Sequence, residues 1–234
     1  MKTVKPLIYS IIPARGGSKG LFRKNIRTLA GIPLIAHTIK ASLGCNLIDR
    51  CFVSTEDSEI QKISIEWGAE VIDRPQELAT DLSLTRDTVK HALNQMLLCG
   101  ILPEYFVLLQ PTSPLRTSTH LTEFIRLFLN SDALSAVSVT EMEHHPYKTF
   151  YLNNNNELTP FSDPEYLEAP RQILPSVYRP NGAMYIMSSK TFMEKSTFFV
   201  WPIIPYIMTS EESIDIDNEC DLLMAENYIK VSSL

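Results

Sequence analysis

The sequence predicts an α/β protein of three layers, a mostly parallel sheet with helices on both faces, plus one excursion that leaves the sheet. Three observations predict it. Strand-like and helix-like segments alternate through residues 1–140, the strand segments are continuously apolar, and residues 141–177 break the rhythm with prolines at 146, 160, 164, 170 and 175. Continuous apolar strands are those buried on both faces, as in a parallel sheet. With 234 residues, 44% hydrophobic and 21% charged, the chain has enough apolar side chains to fill such a core.

Residues 7–12, LIYSII, have the length and β-branched content of a buried strand, and Pro13 stops it. The loop that follows carries Gly16, Gly17 and Gly20, which permit positive φ and close approach of amides to a ligand. Arg15, Lys19, Arg23 and Lys24 place cations beside those glycines. Such a loop suits a polyanion, and a triphosphate best. Its order, Ser18-Lys19-Gly20, is not the Gly-Lys-Ser/Thr of a P-loop, and the dinucleotide spacing G-x-G-x-x-G is absent. A solvated basic turn is the plainer alternative, which the glycines and the preceding buried strand disfavour.

Next, residues 33–41 carry apolar residues at helical spacing, with Pro33 at the first turn and Gly44 near the end. Strands follow at 50–54 and 70–72 around a helix at 57–67 closed by Gly68, then a helix at 84–98 and a strand at 105–109. A helix at 121–129 and a strand at 133–139 complete the alternation. Ligands of such sheets sit beyond the carboxyl ends of the strands, which puts residues 13–27, Arg74 and residues 110–116 on one rim. Within the excursion, residues 148–152 and 157–158 read as a hairpin whose turn is the run Asn153-Asn154-Asn155-Asn156. The division is therefore a core of 1–140 and 178–234 with an insertion at 141–177, and a projecting hairpin of this kind predicts a subunit contact and a homodimer. The core resumes at 183–187 and ends in a helix over 219–229.

A formal net charge of −6 implies no basic face for duplex nucleic acid. Cys45, Cys51, Cys99 and Cys220 form no C-x-x-C pair, which argues against a zinc site or a disulfide framework. No apolar run reaches the roughly 18 residues a membrane span needs, and the N-terminal run reads as a strand, not a signal, so a cytoplasmic protein is expected.

Asp215-Ile216-Asp217 places two carboxylates at strand period, on one side, a geometry for a hard divalent cation such as Mg2+ or Mn2+. The pair reads equally well as strand-end aspartates or the cap of the last helix. Gln110-Pro111-Thr112-Ser113-Pro114-Leu115-Arg116 could orient a polyhydroxylated substrate, or be a proline-fixed turn. Arg171 and Arg179 add cations near the rim, or are surface ion-pair partners. His144-His145 lacks a third ligand at zinc spacing and reads as packing, and Phe198 and Phe199 read as core or interface.

These segments carry a resemblance. IPARGGSKG with Lys24-Asn25, Ile72-Asp73-Arg74-Pro75 with Glu77-Leu78-Ala79, LLQPTSPLR, EHHPYK, PRQ, YRPNGAMYI and SIDID run in order through residues 12–217, and together they resemble the acylneuraminate cytidylyltransferases. That resemblance implies a Rossmann-like nucleotidyltransferase fold and a reaction joining CTP to a nine-carbon 2-keto sugar acid, N-acetylneuraminic or legionaminic acid, giving a CMP-sugar and pyrophosphate. It implies that Ala14, Arg15, Gly16, Ser18, Lys24, Asn25, Arg74, Ser83 and Thr85 hold the nucleotide. Arg15, Lys19, Lys24, Asp215 and Asp217 would carry catalysis, the two aspartates as the metal pair. Gln110, Arg116, Lys148, Arg171, Tyr185, Phe198 and Phe199 would surround the sugar acid. Phe22 stands where a proline is common in the family, and residues 82–85 depart from its usual small-residue run. Pseudaminic and ketodeoxyoctonic acids are alternative substrates, and a non-catalytic nucleotide-binding module is the alternative of another class.

Overall fold

The computed structural model describes residues 5–18 and 20–232. The first apolar run becomes β1 (Ile8–Pro13), and after the glycine loop come the short strands β2 (Thr28–Leu29) and β3 (Ile32–Pro33) and the helix α1 (Leu34–Leu43). β4 (Arg50–Thr55) leads into α2 (Ser58–Glu66), whose start is fixed by Asp57: its carboxylate accepts the Glu59 and Ile60 N–H groups, each at 3.0 Å. β5 (Glu70–Asp73), α3 (Thr85–Leu98), β6 (Tyr105–Leu108), α4 (Ser118–Leu129) and β7 (Ser135–Glu141) continue the alternation. α4 starts ahead of its apolar stripe because Thr117 and His120 cap it reciprocally, giving a polar first turn that hydrophobic spacing does not mark.

The excursion holds β8 (Phe150–Leu152), β9 (Leu158–Pro160) and the single turn α5 (Glu165–Glu168). β8 and β9 pair antiparallel in a sheet of their own, and the Asn153 side chain accepts the N–H groups of Asn155 and Glu157, so the asparagine run is the hairpin turn. His145 is structural: its Nδ1 accepts the Tyr147 N–H at 3.1 Å. The chain then returns through β10 (Tyr178–Ser188), α6 (Ser189–Lys195), β11 (Ile203–Ile207) and α7 (Glu219–Ser232).

The main sheet runs β11-β7-β10-β6-β1-β4-β5. Its pairs are parallel except those of β10, which is antiparallel to both β6 and β7. β10 begins before the apolar run at 183–187, and its register breaks between Pro180 and Tyr185, where Gly182 takes φ +79°. β1 shows why its residues are apolar throughout. Ile8 and Ile12 pack with α1 and α4 on one face, while Tyr9 and Ile11 pack with α3 and α6 on the other. A third apolar cluster joins Leu21 of the first loop, Leu29, Leu34, Leu115, Ile216 and α7. Leu21 and Ile216 each remove most of their side chain from water, worth about 2 kcal/mol apiece, and this packing pulls the glycine loop towards the acidic segment.

The cysteines are free thiols, and among the described residues no helix is long and apolar enough to cross a membrane.

Candidate active site

A cleft of about 340 Å³ opens at the carboxyl ends of β1, β5 and β6, lined by the first loop, the segment after β5, the segment after β6 and the acidic pair. Arg15, Ser18, Lys24, Asn25, Arg74, Ser83, Thr85, Gln110, Asp215 and Asp217 all border it. Residues separated by two hundred positions in the chain thus share one space.

Gly16 and Gly20 of the first loop serve close approach. Neither Gly16 nor Gly17 adopts the positive φ its sequence permits. A Cβ on Gly20 would instead lie 2.4 Å from the Asp217 carbonyl oxygen, and one on Gly16 would lie 2.4 Å from Asp57 Oδ2. The residue that does take left-handed backbone is Arg23, at φ 52°. Its guanidinium grips Asp57 at 3.1 Å and Glu59 at 2.7 Å, so this loop cation is tied to the start of α2 rather than offered to a ligand. Asn25, buried, donates to the Arg15 carbonyl at 2.9 Å and fixes the loop's shape.

The remaining loop cations face the cleft with carboxylates beside them. Arg15 donates to the Thr80 carbonyl at 2.8 Å and pairs with Asp81 at 3.0 Å; Lys24 Nζ meets Asp217 Oδ1 at 2.9 Å. Lys19 lies outside the described residues. Opposite, Arg74 and Glu56 form a buried ion pair, and the other Glu56 oxygen accepts the Gly16 N–H at 2.7 Å. One carboxylate thereby ties β4, β5 and the first loop together. The Ser83 hydroxyl accepts the Thr80 N–H at 3.0 Å and donates to the Glu77 carbonyl at 3.0 Å, shaping the turn that carries Asp81.

The acidic pair is not on a strand. It lies in the irregular segment between β11 and α7. The sidedness expected of a strand survives because Ile216 is buried in the third cluster and donates its N–H to the Thr112 carbonyl at 2.8 Å, turning both carboxylates outward. Nor does the pair cap the last helix. Asn218 accepts the N–H groups of Cys220 and Asp221, and Asp221 accepts those of Asp217 and Asn218, which leaves the Asp215 and Asp217 side chains for the cleft. Desolvation by the cleft walls pushes the Asp215 carboxyl above the usual aspartate value against a hydrogen bond from Thr112, and the charge of Asp217 adds to the rise. Two carboxylates on one wall, one held by Lys24 and the other by Thr112, facing a basic loop, fit a divalent cation that takes its other ligands from water and phosphate oxygens.

Several positions implied by the resemblance do not border this cleft. Arg116 is buried: its Nη1 donates to the Ala183 carbonyl at 2.8 Å and its Nη2 to Thr38 Oγ1 at 2.6 Å. Burial without a carboxylate partner pulls its pKa down to about 9. Ala14 is buried and its N–H is spent on the Ser54 carbonyl at 3.0 Å, as that of Gly16 is on Glu56. Lys148 donates to the Leu167 carbonyl at 3.2 Å, and Arg171 is exposed on a single turn; both belong to the excursion. Tyr185 meets Phe198 at 5.6 Å and Phe199 at 6.0 Å between ring centroids, an aromatic group on β10 and the loop after α6. Burial raises the Tyr185 hydroxyl, and the charge of Asp215 adds to it.

Glu56, Asp81 and Thr112 join the site although residue types alone did not single out the first two. Glu56 had a positional signal, since it follows β4 on the same rim as Pro13 and Arg74.

A family model described as Cytidylyltransferase matches residues 9–212. The N-acylneuraminate cytidylyltransferase of Escherichia coli O18:K1:H7 is 35% identical over 93% of this chain and 51% of its own length, so the chain spans about half of that relative. The CMP-N,N'-diacetyllegionaminic acid synthase of Legionella pneumophila is 34% identical over 96% of this chain and 97% of its own. Among solved structures, a CMP:2-keto-3-deoxy-manno-octonic acid synthetase complexed with CTP shares the fold, with a TM-score of 0.72 at 13% identity over 97% of this chain and 99% of that one.

Proposed function

The chain belongs to the cytidylyltransferase family, and we propose that it joins CTP to the anomeric hydroxyl of a nine-carbon 2-keto sugar acid, N-acetylneuraminic acid or legionaminic acid, releasing pyrophosphate. The observation that carries this reading is the convergence of Arg15, Lys24, Asp215 and Asp217 on one cleft at the ends of the parallel strands. The sugar hydroxyl oxygen forms a bond to the α-phosphorus while the bond to the β-phosphate oxygen breaks, and the hydroxyl proton leaves to a base. No covalent enzyme intermediate is needed, so the work is positioning and charge stabilisation.

Arg15 and Lys24 exchange their carboxylate partners for phosphate oxygens as the triphosphate arrives, with Lys19 as a third cation. Ser18, Asn25, Ser83 and Thr85 contact the nucleotide, and Arg74 reaches it from its pair with Glu56. Gln110 orients the sugar acid. Asp215 and Asp217 would hold Mg2+ or Mn2+, which would neutralise charge on the phosphates. Asp217, directly or through a water, takes the hydroxyl proton.

The protein acts in the cytoplasm as a homodimer, and the 141–177 insertion is the subunit contact. Exposed Phe150, Tyr151, Leu152, Leu158, Phe161 and Ile173 on that segment support this reading. Light scattering on the full chain tests it, a monomer at micromolar concentration refuting the dimer.

Pyrophosphate release with CTP and a panel of N-acetylneuraminic, legionaminic, pseudaminic and ketodeoxyoctonic acids tests the activity, with kcat/KM as the measure of preference. Highest kcat/KM on a nine-carbon acid of the first two kinds is the expected result. Best turnover with one of the other acids reassigns the substrate; no turnover with any leaves a nucleotide-binding module.

A further inference from the structure

Beneath the acidic segment lies a buried polar contact that the sequence motifs do not explain. Asn181 sits at the register break of β10 and is 2% exposed. Its Oδ1 accepts the Ala183 N–H at 3.2 Å and the Ser138 hydroxyl at 2.6 Å. Its Nδ2 donates to Ser213 Oγ at 2.9 Å and to Met208 Sδ at 3.2 Å. The orientation of the amide is dictated by chemistry: a backbone N–H can only donate, so the atom facing Ala183 must be the oxygen, and the NH2 group must face Ser213. Ser138 in turn accepts the Met184 N–H at 2.8 Å, and its hydroxyl proton points to Asn181 at 2.6 Å with the Met184 carbonyl farther off at 3.2 Å.

Ser213 is also 2% exposed and stands two residues before Asp215. The acidic segment has no strand ladder of its own, so its position depends on discrete tethers. One is the Ile216 N–H on the Thr112 carbonyl; a second is the packing of Gly20 on the Asp217 carbonyl. The Asn181 to Ser213 bond is a third, and it is the one that reaches the interior of the sheet. We infer that Asn181, acting through Ser213, is a positioning residue that fixes the Asp215 and Asp217 carboxylates for a divalent cation. The inference rests on the reading above that this pair holds the metal.

Removing a buried partner that orients ligating groups costs about 10- to 100-fold in metal affinity. The test is a titration of Mn2+ by water-proton relaxation enhancement, on the full chain, with CTP present and no sugar acid, so that no turnover enters the readout. Asn181→Ala and Ser213→Ala are expected to weaken Mn2+ binding about tenfold or more while leaving CTP binding in EDTA within about twofold of wild type. Phe128→Ala, at the far end of α4 where Phe128 packs edge-on against Tyr105, loses stability and serves as the control. It should leave the Mn2+ titration unchanged. Should Asn181→Ala not fold, Ser213→Ala, which removes a single hydroxyl, carries the test.

Wild-type Mn2+ affinity in both variants, or an equal loss in Phe128→Ala, overturns the inference. Asp217→Ala separates this failure from that of the underlying reading. If Asp217→Ala loses the metal while Asn181→Ala and Ser213→Ala keep it, only the positioning role falls. If Asp217→Ala also binds Mn2+ like wild type, the acidic pair is not the metal site and both statements fall.

Discussion

The cation-rich side of the cleft and the excursion between β7 and β10 treat their charged side chains in opposite ways. On the cation-rich side Arg15, Arg23, Lys24 and Arg74 each meet a carboxylate, and every one of these pairs joins segments distant in sequence. In the excursion Lys148 leans on a carbonyl, Arg171 is exposed, and Phe150, Tyr151 and Leu152 face solvent. The difference teaches what preorganisation requires. A cation held by a carboxylate already stands where an anion sits, and a phosphate can replace the carboxylate without rebuilding the wall. A cation on a segment with little core of its own has its position set by whatever that segment packs against.

The comparison can be broken first at its strongest contact. Asp217→Ala should lower turnover by on the order of 10²–10³, as loss of one charge-stabilising group does, with CTP binding still measurable by calorimetry. Wild-type turnover at saturating Mg2+ would remove the metal role from Asp217. Next, Glu56→Ala strips a buried pair of one partner and should cost about 3–5 kcal/mol in urea denaturation. A loss under about 1 kcal/mol would mean that Arg74 finds water and that the strut between β4, β5 and the first loop is dispensable.

Gly20→Ala tests whether Gly16 and Gly20 are glycines for the sake of close approach. Its methyl would press on the Asp217 carbonyl, and the displaced loop should lose about 10- to 100-fold in kcat/KM with little change in melting temperature. Unchanged kinetics would show that the contact relaxes freely.

Asp57 gives a pH-dependent measure of the same wall. Burial alone would raise its pKa, but the Ile60 N–H and the Arg23 guanidinium outweigh that and hold the carboxyl below the usual aspartate value. The folded pKa is the lower one, so this stabilisation is full above the unfolded value and is lost as pH falls through the folded value. Asp57→Asn should therefore cost about 1 kcal/mol at pH 7, and the gap to wild type should close at low pH. A gap independent of pH would assign the effect to capping alone. The smallest effect belongs to the excursion: Lys148→Ala should change stability by no more than about 0.5 kcal/mol by urea denaturation.

Much of this was legible in the chain. β1, β4, β6 and β7 announce themselves as apolar runs because both faces of the sheet are covered, and the rim rule then gathers Pro13, Arg74 and Gln110 without any coordinates. The aspartates were readable as a pair turned to one side, yet their segment is not a strand: a buried Ile216 and one backbone hydrogen bond impose the alternation. Arg116 shows the converse. Its motif placed it beside a substrate, whereas its guanidinium turns inward to Ala183 and Thr38, and nothing in the spacing of residues says which way a side chain leaves a loop.

The chain's own sequence marked the alternation of strands and helices through residue 140 and the location of the cation-rich loop, because these depend on local periodicity and on where glycine and proline interrupt it, whereas α6 and the edge strand β11 carried no such mark. Tertiary structure alone decided which cation is spent on the fold and which faces the cleft. Arg23 and Lys24 are neighbours in the chain with the same charge, but one grips α2 and the other reaches Asp217. That choice depends on the distance to carboxylates far along the chain, and such distances exist only once the sheet and its three clusters have packed.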